Sequence, residues 1–586
     1  RGPAQKAAFD ENGNPTKALQ GFCRGQGVDV QGVTIKEVNG VPYCFAQKSS
    51  KGEKTASILP QILVHITQKL YFPKPMRWAY EEMRFARPIR WLIALYGKDI
   101  LPITLGGITA GNTTRGHRFL SHGDIVITEA KEYVAKLAEQ YVIVDQEQRK
   151  TMIWQQIQEK AKSLAGEVKE DGELLEEITY LVEYPTALVG KIEDRYLSLP
   201  PELIITPMRE HQRYFPVYDK DSKLLPFFIT VRNGLADHLD IVAEGNEKVL
   251  RARLDDAAFF WQEDLKKSLD DNVQKLQNVV FHESLGSIYD KVTRIQKIAA
   301  WLAAELKITD SETIKDITRA AFLAKADLVS NAVYEFTELQ GIMGYYYALQ
   351  AGEKKDVAEA IRDHYRPRFA GDDLPVNIAG QLVAIADKLD SLCGLFSVGL
   401  IPTGSQDPYA LRRQAMGITQ IILANGFHLS IAKMASFSYD LLAEKNQLQM
   451  SKEELQRNIS AFFAQRLENV LSEKRISYDT IKAVMAFGID DILTIWQKAV
   501  ALQAFRQKDG LQELLAGFTR AANLAKNATE MIVEPTLFTD KAENDLYDSY
   551  QKAQEIAATA QQKEDYEKIL DAVSSLRNDI DAFFTA

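Results

Sequence analysis

The chain is short of cysteine, of proline over two long stretches and of positive charge, and each shortage excludes something. Its three cysteines, Cys23, Cys44 and Cys393, lie far apart in 586 residues. They form no CxxC pair and no disulfide framework, which predicts free thiols in a reducing cytoplasm. No apolar run approaches the roughly 18 residues of a membrane span, so no membrane partner is expected. No GxxxxGK[ST] phosphate loop is present. Positive charge is outweighed, 70 Lys and Arg against 80 Asp and Glu, for a net charge of −10. A general nucleic-acid binder is usually basic. RNA binding would therefore need a local basic surface on an acidic body that repels RNA elsewhere.

Proline divides the chain. Fourteen of the 19 prolines lie at or before Pro226, and none falls in residues 227–365 or 409–534. Proline breaks helix interiors, so these runs favour helices, and the pattern is mostly helical from about Leu265. The part before it reads as mixed α and β. Residues 33–38 and 41–47 flank Asn39-Gly40, the pair that supplies positive φ angles to a tight hairpin turn. Residues 89–96 and 100–108 read as a second strand pair around Gly97, and 214–218 with 226–231 as a third. A chain of this length holds roughly three to five domains. The expected division is a mixed α+β region over 1–265, helical regions over 266–400 and 401–498, and a helical bundle over 499–586.

Residues 245–261 carry the densest signal. Leu250, Leu254, Ala257, Ala258 and Trp261 recur at helical spacing and predict one buried stripe. Asn246 reads as the N-cap. Lys248 and Arg251 then fall near the helix start, where the macrodipole disfavours cations. Cations held there suggest an external anion such as phosphate; a local pair with Asp255 is the alternative. Three further clusters share this chemistry. Arg115, His117 and Arg118 surround Gly116, which would let backbone approach a phosphate closely. Arg209, His211, Arg213 and Tyr214 follow Pro207. Arg232 precedes Asn233-Gly234, and Arg253 follows Arg251. Arg412 and Arg413 form a weaker pair, with Asp407 as a possible partner. Arginine forks suit phosphates, and His and Tyr rings can stack on unpaired bases. Intramolecular ion pairs are the competing reading for every one of these. Tyr345, Tyr346 and Tyr347 are expected in a core or a subunit contact.

Several of these words resemble a known family. GNEKVLRARLDDAAFFWQEDLK (245–266), MRFARPIRWLIALYG (83–97), TRGHRFL (114–120), HQRYFPV (211–217), KADLVSNAVYEFTELQGIMGYYYA (325–348), HYRPRFAGDDLP (364–375) and DPYALRRQAMG (407–417) run in order through the chain. They resemble beta subunits of bacterial heterotetrameric glycyl-tRNA synthetases. The resemblance implies two alpha and two beta chains. The alpha subunit would carry the class II core that binds ATP, Mg2+ and glycine. The beta chain would bind and position tRNA(Gly), with no catalytic residue and no cofactor of its own. It also implies further residues before Arg1 and a little beyond Ala586. The sequence agrees with a missing activation site: no HIGH-like segment and no class II motif is recognisable. Met450-Ser451-Lys452 is flanked by Gln449 and Glu453, so Ser451 with Glu454 reads as a capping box rather than a KMSKS loop.

Two finer likenesses follow. His282, Ala326-Asp327, His364 and Asp387 resemble the ligand order of an HD-type phosphohydrolase domain, in which His and Asp hold a divalent metal that activates water. Ala326 stands where the paired His belongs, so a degenerate site without metal is expected, and Lys388 offers Asp387 another partner. Residues 499–586 resemble the helical anticodon-binding domain of arginyl-type synthetases. Ile569, Val573, Leu576 and Ile580 there recur at helical spacing, which packing alone explains. The expected fold is thus multidomain α+β, with a mixed α/β N-terminal half, a degenerate HD-like domain and a C-terminal anticodon-binding-type bundle. Two rival functions remain open: a metal-dependent phosphohydrolase, and an RNA-binding scaffold without a role in aminoacylation.

Overall fold

The computed structural model describes residues 1–586 except 49–51, 79–81, 446–447, 487, 509–510, 527, 529–531 and 586. The chain forms two compact units. One comprises Arg1–Lys160, Glu170–Leu188 and Val231–Asp237; the other comprises Ala161–Lys169, Val189–Thr230 and His238–Ala586.

The first unit contains the hairpin read from Asn39-Gly40. Val33–Val38 pairs antiparallel with Val41–Ala46, and Val38 faces Val41 across the turn. Asn39 and Gly40 have φ angles of 53° and 78°, as a primed turn requires. Beside the hairpin, Ala8, Leu19, Cys23 and Cys44 form a small core. The strands expected over 89–96 and 100–108 are much shorter. Leu95–Tyr96 pairs with Asp99–Ile100, and Thr104–Leu105 pairs with Ile108–Thr109. Gly106 and Gly107 take φ angles of 52° and 73°. They turn the chain back inside what the apolar pattern alone reads as one strand. Leu101, Ile103, Leu105 and Ala110 then share a second small core.

In the second unit, Phe215–Tyr218 pairs antiparallel with the strand through Leu224, Phe228 and Ile229, Phe215 opposite Ile229. Asp219 closes their turn by accepting the N–H groups of Asp221 and Lys223 at 2.9 Å each. Apart from the short hairpin of Val280–His282 with Gly286–Ser287, most of the rest is helical. At its centre the helix Ile378–Ser397 is buried at every position from Ala379 to Ser397, as a helix apolar nearly all round must be. Asn377 starts it by accepting the Gly380 N–H at 2.8 Å. Around it pack Ile288–Glu305, Ser311–Leu323, Lys355–Asp363, Leu411–Asn425 and Ile431–Ala443. Ser451 caps the helix Lys452–Glu473 through the Glu454 N–H at 3.2 Å, the forward half of the capping box read from its sequence. Near the end, Lys541–Gln562, Tyr566–Ser575 and Arg577–Phe583 pack on one another and bury Ala560, Ala572 and Ile580. Among the described residues no helix is long and apolar enough to cross a membrane. The coarse reading, mixed α+β followed by a mostly helical half, matches this architecture.

Candidate functional site

The helix that carries the densest signal runs from Leu239 to Asp264. It starts upstream of Asn246, which is therefore not its N-cap. Asn246 lies inside the helix, donating to the Val242 carbonyl at 2.9 Å and accepting the Tyr214 hydroxyl at 2.9 Å. Leu239-Asp240-Ile241-Val242 supplies the missing first turn, and Gly245 does not break it. Lys248 and Arg251 thus sit beyond the first turn, where the dipole no longer matters. The buried stripe is present, with Leu250, Leu254 and Ala257 fully enclosed.

Most cations of this region have partners within the second unit. Arg251 Nε lies 2.5 Å from Glu193 Oε1. Asp255, read as its partner, instead binds Arg195 at 3.0 Å and the Tyr196 hydroxyl at 2.7 Å. Burial first, and the Asp255 carboxylate second, raise the Tyr196 phenol above its ordinary range. Arg253 Nη1 is 3.8 Å from Glu335. Arg209 pairs with its neighbour Glu210, whose carbonyl accepts from Arg213. Arg213 itself adopts a φ of 58° where the chain leaves the π-helical turn Pro207–Gln212. The His211 ring lies 5.6 Å from that of Phe336. Lys248 is exposed and makes no ion pair among the described residues.

Tyr214 is not a platform for a base. Its ring is buried and stacks on Phe228, with centroids 4.5 Å apart and planes 10° from parallel. Burial pushes its phenol up to about 12. Gly190 makes room for this stack: a Cβ there would lie 2.1 Å from the Phe228 ring.

In the first unit, Arg115 pairs with Asp124 at 3.0 Å and lies 5.6 Å from the Trp91 ring. His117 is buried; its Nδ1 accepts the Phe119 N–H at 3.3 Å, and its Nε2 has no partner among the described residues. Gly116 does allow a close approach, but to the protein itself: an added Cβ would be 2.6 Å from Gln140. The phosphate role read for it is therefore replaced by packing. Arg118 is exposed beside Phe119, whose ring is 78% exposed and 5.8 Å from the guanidinium. Arg232 donates to the Asp237 carbonyl at 2.6 Å.

The last basic pair lies at the start of Leu411–Asn425 in the second unit. Asp407 accepts the backbone N–H groups of Leu411 and Arg412 rather than a guanidinium. Arg412 donates to the Gly404 carbonyl at 2.7 Å, and Arg413 to the Arg368 carbonyl at 3.0 Å.

The HD-like positions are engaged by the protein's own groups. His282 accepts the Ser284 N–H at 3.2 Å through Nδ1. Asp327 is fully buried and accepts the N–H groups of Gly341 and Gly344 at 2.6 and 3.0 Å. Burial pushes its carboxyl up to about 6. His364 Nδ1 lies 2.6 Å from the Ile361 carbonyl, to which it can donate. Burial, reinforced by Lys325, holds the His364 imidazole well below its ordinary value. Asp387 lies 2.9 Å from Lys291 and 2.8 Å from Lys325. Burial alone would favour its neutral form, but these two ammonium groups outweigh it and hold the carboxyl well below the usual range. Asp390 binds Arg294 through both oxygens at 2.5 and 3.1 Å. Lys388 is buried too, and donates to the carbonyls of His364 and Arg366 at 3.0 and 2.8 Å. Burial lowers its ammonium to about 7.

This donor set does not fit a divalent metal. Asp387 is held between two lysines, and a cation there would meet like charge. Among the described residues no group of three or more His, Cys, Asp and Glu side chains is placed to hold one. Lys291, Arg294 and Lys325 escaped the sequence reading. For the first two the signal is helical spacing: Lys291 and Arg294 share a face with Val292, Ile295 and Ile298, all buried.

Comparison with known proteins identifies the class. A family profile described as glycyl-tRNA synthetase beta subunit matches residues 1–486. Glycine–tRNA ligase beta subunits are similar over the whole of this chain and 84% of their own length. Those of Moorella thermoacetica, Desulforamulus reducens and Bacillus subtilis are 48%, 47% and 44% identical to it, respectively. The class is therefore that of an aminoacyl-tRNA synthetase subunit. Within it, the chain belongs to the glycyl-tRNA synthetase beta-subunit family.

Proposed function

We propose that this chain is the tRNA-holding half of glycine–tRNA ligase. It works in the cytoplasm with an alpha subunit, in a tetramer of two alpha and two beta chains. The alpha subunit activates glycine with ATP and Mg2+, and the beta chain presents the terminal adenosine of tRNA(Gly) to it. The family match over residues 1–486 carries this reading. Holding the acceptor end is a catalytic contribution, because an oriented encounter replaces a bimolecular one. The exposed Arg118–Phe119 pair and the exposed Lys248 are the side chains best suited to meet RNA. Arg115, Arg232, Arg251, Arg253 and Arg412 would join them by exchanging an internal acceptor for a phosphate. Arg209, Arg213 and His211 would add to the RNA contacts of the second unit from the turn that precedes Tyr214.

In this reading residues 1–265 form the α+β region, 266–400 a degenerate HD-like domain, 401–498 a helical body and 499–586 the anticodon-binding-type bundle. The ion pairs of Asp387 with Lys291 and Lys325 favour it over a metal-dependent phosphohydrolase. The experiment is reconstitution. Pyrophosphate exchange with glycine and ATP should stay at background for the purified beta chain, and glycyl-tRNA formation should appear on adding an alpha subunit. Robust exchange by the beta chain alone would refute the division of labour. Failure of tRNA charging by a well-folded tetramer would favour a scaffold instead.

A further inference from the structure

Within the helical array of the second unit lies a cavity of about 520 Å³, in the range of roughly 300–1,000 Å³ typical of small-ligand sites. Lys291, Lys325, Lys388, Arg368 and Arg413 line it against only two carboxylates, Asp387 and Glu338. The carboxylate of Asp387 is already shared by Lys291 and Lys325, and Arg368 has Asp372. Lys388 and Arg413 have no carboxylate partner among the described residues and donate only to backbone carbonyls. Lys388 is 5% exposed, and a buried ammonium normally has a counter-charge. The Tyr365 ring also lines the cavity, while its hydroxyl is buried behind that wall.

A positive, partly unsatisfied cavity excludes a metal ion and calls for an anion. Phosphoryl oxygens suit it best: they accept from ammonium and guanidinium donors at once. The aromatic walls are less available. Lys325 lies 3.8 Å from the centroid of the Tyr365 ring, and Lys291 lies 4.8 Å from that of Phe281. Recognition through the phosphates, with little from a base, follows.

We propose that this cavity binds a small phosphorylated anion of the pyrophosphate or nucleoside-polyphosphate class, with its phosphoryl oxygens on Lys388 and Arg413. The HD-like positions would then have exchanged metal-bound water for fixed cations, turning a site for hydrolysing phosphates into one that holds them. The inference does not depend on the tRNA reading.

The test is calorimetric titration of the purified full chain with pyrophosphate, ADP and GDP, followed by displacement with tRNA(Gly). One-to-one binding of all three is the expected result, with ADP and GDP within about tenfold of each other. Losing a hydrogen bond from a charged donor should weaken binding about tenfold or more in Arg413→Gln and in Lys388→Met. Arg413 is exposed, so its substitution keeps the test valid if Lys388→Met fails to fold. Absence of binding at millimolar concentrations, or unchanged affinity in a folded Arg413→Gln variant, overturns the proposal. Strong selection between ADP and GDP overturns the phosphate-based recognition. Displacement of pyrophosphate by tRNA would assign the phosphate to RNA and overturn the small-ligand site.

Discussion

The Lys325 ammonium lies 2.8 Å from the Asp387 carboxylate, and both groups are almost completely buried. An ion pair therefore occupies the place that the HD resemblance assigns to a metal ligand. Such a pair is weak evidence for stability as a whole, but breaking it from one side is costly.

Asp387→Asn should accordingly destabilise the second unit by about 3–5 kcal/mol, because Lys325 and Lys291 lose a counter-charge together. Urea unfolding followed by circular dichroism measures this. A change under about 1 kcal/mol would mean that the two lysines are already neutral in the fold.

His364 and Asp327 should give opposite pH effects. The folded imidazole is held well below its ordinary value of 6.5. Below pH 6.5 the unfolded chain takes a proton that the folded one refuses, so stability falls with acid. Asp327 titrates at about 6 in the fold against about 3.9 when unfolded. The folded state takes that proton first, so this contribution grows as pH falls from about 6 to about 4 and is lost as pH rises through 6. Its size is roughly 3 kcal/mol for a shift of about two units. In thermal melts across this window, His364→Gln should soften the acid loss of stability and Asp327→Asn should deepen it. Identical pH profiles for both variants and the parent would refute the assignment.

Tyr214→Phe keeps the stack on Phe228 and loses the hydrogen bond to Asn246. It should cost about 1 kcal/mol and leave tRNA affinity unchanged. Tyr214→Ala empties a core position and should cost about 3–5 kcal/mol. A clear drop in tRNA affinity for well-folded Tyr214→Phe would return the residue to the RNA surface.

Arg118→Gln and Lys248→Gln should each flatten the dependence of log affinity on log salt by about 0.7–0.9, the effect of one lost phosphate contact. Arg251→Gln should have a smaller effect, because Glu193 already neutralises Arg251. Titrations of tRNA at several salt concentrations measure the slopes. If both exposed cations can be removed without changing affinity or slope, the RNA surface lies elsewhere.

What the sequence disclosed depended on whether the cause was local. Asn39-Gly40 predicted its hairpin because the turn angles belong to those two residues. Ser451 predicted its cap because the acceptor and the Glu454 N–H are neighbours. The stripe from Leu250 to Ala257 was equally plain in the spacing. Asn246 misled because a polar residue before an apolar stripe marks a helix start only if the preceding turn is not helical, and Leu239 to Val242 made it so. Tyr214 misled because the hairpin spacing does not say that its ring stacks on Phe228, and Gly190, which makes room for the stack, comes from outside the hairpin. The lysines on Asp387 were hidden because Lys291 reaches it from another helix and Lys325 from the turn that follows Ser311–Leu323. Partners of that kind are set by packing, which the spacing of residues does not record.

The burial of Ile378–Ser397 also bears on how the chain is made. Lys291 and Asp390 are 99 positions apart, so a ribosome moving at about 5–20 residues per second delivers the second roughly 5–20 s after the first. Over that interval the helix Ile288–Glu305 lacks the carboxylates for Lys291 and Arg294 and the cover that Ile378–Ser397 later supplies. The array must close late, around a segment synthesised after several of the helices that enclose it. A nascent chain halted before residue 397 would display that uncovered face and be a ready client for chaperones.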